Sequence, residues 1–276
     1  MKDRDRYPKR IEYEDELKDE FSLAQITPRR IGDDYVYIHT SLWKRLTHFF
    51  WYRLVAKPLA RLFLKCKFGH RVIGRDKFRA CRKSGFFLYG NHTQPTGDAV
   101  MAGVICRPLD AYVIVHPNNV SMPFLGRVTP SMGALPLPDT LGAAKKFSKA
   151  LEYHAQAGHV IMIYPEAHIW PYYTKIRPFG SETFKYPARL KKPVFCLTNT
   201  YQKKKNPERF RLVTYVDGPF YPDPDLSVPA AALKLREEVY ACMCERAKMS
   251  DFELIAYRKK ETPGPDAQSG SGAEQK

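Results

Sequence analysis

Asn91, His92 and Asp98 stand just beyond a short apolar run, Gly85-Phe86-Phe87-Leu88-Tyr89-Gly90. An imidazole takes up a proton near neutral pH, and a carboxylate folded back onto its other ring nitrogen fixes the tautomer. His92 is therefore a candidate general base, Asp98 its orienting partner, and Asn91 a residue that shapes the turn. Pro95 and Gly97 bend the chain between His92 and Asp98, ahead of the apolar stretch Ala99 to Cys106. A second turn with reactive side chains, Pro165-Glu166-Ala167-His168, follows the run His159 to Tyr164. A third, Met132-Gly133-Ala134-Leu135-Pro136-Leu137-Pro138-Asp139, leads into a helical pattern at Thr140.

The elements that must hold these turns alternate in type. Apolar runs predict strands at Gly85–Gly90, Ala111–Val115, Val160–Tyr164, Val194–Thr198 and Arg211–Val216. Helical spacing predicts helices at Asp98–Cys106, Thr140–Ala157 and Pro229–Met249. Short apolar strands separated by helices define an α/β protein with a largely parallel sheet flanked by helices. In such sheets ligands gather beyond the carboxyl ends of the strands, where the His92 and Glu166 turns lie.

Charge is concentrated in one place. The net charge is +16, and Ser41 to Lys83 holds thirteen Lys or Arg against Asp76 as its single acidic residue. Leu42, Trp43, Leu46, Phe49, Phe50 and Leu54 recur there at helical spacing, Arg53, Lys57, Arg61 and Lys65 form a second row, and Pro58 predicts a kink or break. Aromatic and aliphatic residues bordered by Lys and Arg suit a basic amphipathic helix lying on an anionic membrane surface. Nucleic acid is the weaker anionic partner, because the chain has neither a recognisable reading helix nor a stacking motif. No apolar run reaches the length of a spanning helix, and Met1 to Glu20 lacks the apolar core of a secretory signal. The six cysteines sit mostly in apolar runs and read as reduced, structural thiols. Residues 1–40 read as a charged N-terminal arm, extended or loosely packed, and 261–276 as a disordered tail.

The turns in their order resemble the glycerolipid acyltransferases typified by 1-acylglycerol-3-phosphate acyltransferase. That family carries an Asn-His-x4-Asp block after a strand, a glycine-led second block ending in Asp-Arg, a Phe-Pro-Glu-Gly-Thr-Arg block and a Val-Pro-Val strand. Here the counterparts are Asn91-His92…Asp98, Gly133-Ala134-Leu135-Pro136-Leu137, Tyr164-Pro165-Glu166 and Lys192-Pro193-Val194-Phe195. The resemblance covers roughly residues 41–220. It implies a chain with basic membrane-contact helices at 41–83 and an acyltransferase-like α/β domain at 84–260. It further implies peripheral attachment to the cytoplasmic face of a membrane and a fatty acyl group moving to a lysophospholipid or related glycerolipid hydroxyl. Acyl-CoA or acyl-carrier protein would be the thioester co-substrate, with no cofactor and no metal. His92 and Asp98 would be catalytic, while Asn91, Gly133 and Glu166 would shape or line the acceptor side. Four departures stand out. The His-to-Asp spacing is one residue longer, Asp139 occupies the position of the second block's Arg, Ala167-His168-Ile169 replaces Gly-Thr-Arg, and Gly180 replaces the Lys that follows Pro-Phe. Arg127, Lys145, Lys146, Lys175 and Arg177 are the cations available in their stead.

Two other readings use the same residues. His92, Asp98, Glu166 and His168 are of the types that ligate a hydrolytic metal, although no short-spaced ligand pair is present. The missing arginines also suit a lipid-binding scaffold that keeps the fold without the chemistry.

Overall fold

A computed structural model describes residues 7–22, 26–39, 41–123, 125–206 and 208–260. The tail assigned to 261–276 lies outside the described residues. The strands are β1 (Arg10–Tyr13), β2 (Arg71–Ile73), β3 (Phe86–Gly90), β4 (Ala111–Val115), β5 (Ala134–Pro136), β6 (Val160–Ile163), β7 (Val194–Lys203), β8 (Phe210–Phe220) and β9 (Ala256–Lys259). The helices are α1 (Leu42–His48), α2 (Lys57–Phe68), α3 (Asp98–Ile105), α4 (Leu125–Val128), α5 (Leu141–Gln156), α6 (Lys185–Leu190) and α7 (Val228–Ala247).

Seven strands form one sheet in the order β2-β8-β7-β3-β6-β4-β5, parallel throughout except for the antiparallel pair β7–β8. Every residue of β3 and β6 is buried, as central strands covered on both faces must be. Their side chains alternate between two cores. Phe87, Tyr89, Ile161 and Ile163 pack with Leu151 of α5 and Val239 of α7. Phe86, Leu88, Val160 and Met162 pack on the other face with Leu64 and Phe68 of α2 and Met101 of α3. The period of two sends successive residues to opposite faces, so each helix layer meets its own set.

Residues 1–40 differ from the loosely packed arm expected of them. Strand β1 pairs in parallel with β9, the Trp170 indole N–H donates to the Asp19 carbonyl at 2.7 Å, and Ile31 and Tyr37 are core residues. The charges that made this segment read as solvated flank a few apolar side chains, and those side chains decide where it goes.

From Leu42 to Phe68 the chain is helical, with wide π turns over Phe49–Ala56 joining α1 to α2. The change of register ends beside Pro58, which has no amide hydrogen to donate, so the helix continues where a break was expected. Its orientation is the informative point. Leu42, Trp43, Leu46, Phe50, Leu54, Leu59 and Leu62 are exposed. Part of the basic row is tied to the domain instead: the buried Lys57 Nζ lies 3.0 Å and Arg53 Nη2 2.7 Å from the buried carboxylate of Asp110. These cations and His48 hold the Asp110 carboxyl far below the usual carboxylate range, against the opposing effect of burial. Replacing Asp110 with Ala strands the buried Lys57 ammonium, and we expect a loss of about 2–3 kcal/mol in denaturant unfolding. Loss of protection in amide exchange should concentrate in 42–68.

Acid should destabilise the fold through two further histidines. Burial pushes His70 down to about 4 and His154 down to about 3. The unfolded chain binds their protons at an ordinary imidazole pKa, so this contribution is complete above about pH 6.5 and fades as pH falls through those values. Unfolding midpoints measured between pH 7 and 4 should therefore fall with pH, and less steeply in His70→Gln.

Candidate active site

The strand β3 ends at Gly90, where a side chain would press on its neighbours: a Cβ there would lie 2.5 Å from Met162 Cε and 3.1 Å from Tyr164 Cε1. That close approach lets Tyr164, just after β6, lie flat on the His92 ring, with centroids 4.6 Å apart and planes 24° from parallel. His92 Nδ1 is 2.8 Å from Asp98 Oδ2. The extra residue in the spacing is taken up in the turn, where the Gly97 and Asp98 amides both donate to the Gln94 carbonyl. The Gln94 amide donates to Asp98 Oδ2 at 2.9 Å, which locks the carboxylate over the start of α3.

Asp98 is nearly inaccessible, whereas the His92 side chain retains 24% of its exposure. With Nδ1 engaged, Nε2 is the nitrogen left for a substrate. Burial pushes the Asp98 carboxyl up, and the hydrogen bonds from His92 and the Gln94 amide oppose that shift. Asn199 Nδ2 also reaches Asp98 Oδ1, at 3.3 Å. Asn91 and Asn199 exchange two bonds, Asn91 Nδ2 to the Asn199 carbonyl at 3.1 Å and the Asn199 amide to Asn91 Oδ1 at 2.8 Å. The asparagine before His92 thus ties the end of β3 to β7.

Glu166 is buried beneath the turn. Its Oε2 accepts the His92 amide and its Oε1 the Arg177 amide, both at 3.0 Å. The Arg177 guanidinium lies 3.5 Å from that carboxylate, stacks over Trp170 and donates to the carbonyls of Glu16, Glu166 and His168. Burial pushes the Glu166 carboxyl up and Arg177 opposes it. Further down the chain, the Trp170 amide donates to the His92 carbonyl and the Tyr172 amide to that of Thr93. The loop after β6 is therefore stitched along the whole of the His92 turn.

These placements correct several expectations. Arg177 is 1% exposed and belongs to the scaffold, so it is not free to bind an acceptor phosphate. Gly133 lies at the start of the edge strand β5, three strands from β3 and below the level of His92. It precedes β5 with a φ of 92°, and a Cβ there would meet the Ala111 carbonyl at 2.6 Å. Asp139, where the family has arginine, accepts the Ile31 amide at 2.6 Å. Lys146 donates to the Asp33 carbonyl. Lys175 is exposed on the loop between Tyr172 and Arg177. The Arg127 side chain lies outside the described residues. His168 faces Glu20 at 3.3 Å, and both Glu166 oxygens are taken by amides. His92, Asp98, Glu166 and His168 are thus not assembled as a metal-ligand set. Among the described residues the one candidate group is Cys196, Asp217 and Cys242.

Tyr164 and Asn199 are the site residues that sequence reasoning missed. Tyr164 sits next to the Pro165-Glu166 turn and was legible as its leading residue, whereas nothing local marks Asn199, 101 positions from the Asp98 it contacts. A base held by a buried carboxylate at the carboxyl end of a central parallel strand is an arrangement suited to proton transfer from a bound hydroxyl.

No family model matches the sequence, and no curated protein matches it. Among solved structures, the chain is similar to the 1-acyl-sn-glycerophosphate acyltransferase PlsC from Thermotoga maritima, with a TM-score of 0.53 and 15% identity. The match covers 75% of this chain and 87% of that one. The chain therefore has an acyltransferase-like fold.

Proposed function

We propose that this protein is a membrane-surface acyltransferase that moves a fatty acyl group from an acyl-CoA or acyl-carrier thioester to the hydroxyl of a lysophospholipid or related glycerolipid. The observation that carries this reading is the His92–Asp98 pair, with Nδ1 held at 2.8 Å and the ring still open to solvent at the end of β3. His92 Nε2 takes the acceptor's hydroxyl proton as the oxygen attacks the thioester carbonyl. Asp98 stabilises the imidazolium that forms, and the imidazolium returns its proton to the departing thiolate. The acceptor supplies the nucleophile, so no enzyme ester is required. Glu166, Arg177 and Trp170 set the backbone of the turn and stay out of the chemistry. With Arg177 and Lys146 engaged in scaffolding, Lys175 and Lys145 are the exposed lysines left for an anionic headgroup.

The outward apolar side of 42–62 supports action at a membrane surface, since no described helix is long and apolar enough to cross one. Leu42, Trp43, Leu46 and Phe50 flank lysine and arginine, so anionic vesicles should bind more tightly than zwitterionic ones and salt should weaken them. Trp43→Ser/Phe50→Ser should lower sedimentation with phosphatidylglycerol vesicles by about tenfold without shifting the unfolding midpoint. Unchanged sedimentation contradicts the membrane placement. For the reaction, thiol release from an acyl thioester should depend on added hydroxyl lipid. Release independent of acceptor indicates a thioester hydrolase, and no release with any acceptor indicates a scaffold.

A further inference from the structure

A second group of reactive side chains lies on the α7 face of the sheet. Cys196 of β7, Asp217 of β8 and Cys242 of α7 bring their sulfur and carboxylate atoms within 4.8 Å of one another. Cys196 is fully buried, and the β7–β8 pairing is irregular between Val194 and Cys196, a local bend of the kind that re-aims side chains. Cys242 is partly exposed on the outer layer. Asp217 is already paired with two cations: Lys77 Nζ donates to it at 2.7 Å, and Arg246 Nε and Nη2 at 2.7 and 2.9 Å. A metal ion would enter beside two fixed cations and compete with both for the carboxylate, so the group is poorly built for one. The same cations favour negative charge on a neighbouring sulfur.

We infer that Cys242 and Cys196 form a reversible thiol–disulfide site in which Cys242 meets a peroxide first and Cys196 resolves it. Accessibility divides the roles, since Cys196 has no exposed surface through which to meet an oxidant directly. The two sulfurs lie within 4.8 Å of each other, and the neighbouring Cys196 thiol, with Arg246 and Lys77, lowers the Cys242 pKa against burial and the Asp217 carboxylate, which raise it. An acidified, accessible thiol beside a resolving thiol is the arrangement found in peroxide-sensitive pairs. The Cys242 thiolate attacks hydrogen peroxide, giving the sulfenic acid and, with one proton, water. The Cys196 sulfur then attacks the sulfenic sulfur. Its S–H proton leaves with the hydroxyl as a second water, and the S–S bond forms. Two electrons pass from the two thiols to the peroxide, and an external dithiol reverses the step.

The bond would tether β7 to α7 three residues before Asn199, which contacts both Asn91 and Asp98. Oxidation state is thereby linked to the strand that steadies the candidate site.

The test uses the full chain, fully reduced and then exposed to hydrogen peroxide, with maleimide trapping of remaining thiols and peptide mass spectrometry. The expected result is a fall from six free thiols to four, a Cys196–Cys242 cross-linked peptide, and full recovery with dithiothreitol. Cys242→Ser should abolish the cross-link. Cys196→Ala should leave Cys242 to over-oxidise irreversibly, and should Cys196→Ala not fold, the order of thiol loss in the unmodified chain carries the same information. Three results overturn the inference: exposed Cys66 oxidising before Cys242, a bond joining Cys242 to Cys244, or stoichiometric zinc uptake that protects both thiols.

Discussion

Replacing His92 with Ala is expected to lower acyl transfer by ~10³-fold or more, while leaving the unfolding midpoint within a few degrees of the parent. General-base removal costs ~10²–10⁴-fold in rate, and here no neighbouring side chain is placed to substitute. Tyr164 lies against the ring, but its hydroxyl donates to the Asp98 carbonyl, and burial keeps it protonated. His92 is partly exposed and contributes little apolar burial, so the loss should be catalytic and not structural. Asp98→Asn offers an internal control. The amide can still accept the Gln94 amide but no longer stabilises an imidazolium, so kcat should fall steeply with little change in KM. A rise in KM with kcat unchanged would place His92 in binding instead of proton transfer. Rates are read with a labelled thioester on vesicles, and folding by circular dichroism.

The second large effect is on stability. Arg177→Met removes the guanidinium from a carboxylate with no exposed surface, leaving Glu166 uncompensated beneath the turn. Breaking a buried pair from one side costs about 3–5 kcal/mol, a substantial part of the stability of an ordinary domain. The Glu166 carboxyl, already pushed up by burial, loses the cation that opposes that shift, so the variant should lose more stability than the parent as pH rises. The double variant Glu166→Gln/Arg177→Met removes both charges and should recover part of the loss. Urea unfolding of the parent, the single and the double variants measures this directly. An Arg177→Met protein as stable as the parent would contradict the scaffold role and return Arg177 to the set of acceptor cations.

Much of this architecture is legible from local signals. The runs at Gly85–Gly90, Ala111–Val115 and Val160–Tyr164 become β3, β4 and β6 nearly as expected, because a central parallel strand must be apolar on both faces. The His92–Asp98 contact is also local, contained in one turn. What escapes are features decided by distant partners. Strands β1 and β9 lie at opposite ends of the chain and stabilise each other only once the domain has formed. Arg177 looks like a free cation because nothing nearby in sequence shows that Glu166 will be buried against it. The basic row of 53–65 reads as part of a face turned to an anionic membrane surface, yet Arg53 and Lys57 find the buried Asp110 more than fifty residues on. Charge pattern locates the amphipathic helix but not which side it turns outward.

The proposed acyl transfer at a membrane surface requires the carboxylate-held imidazole of His92 to take up a hydroxyl proton. The most direct measurement incubates the purified protein with anionic vesicles containing a lysophospholipid and a labelled acyl thioester, followed by mass spectrometry of the lipids. The account predicts a new labelled diacyl lipid with the parent protein and none above background with His92→Ala. Labelled product formed equally by both proteins, or none formed by the parent across glycerolipid acceptors and both thioester carriers, would contradict it.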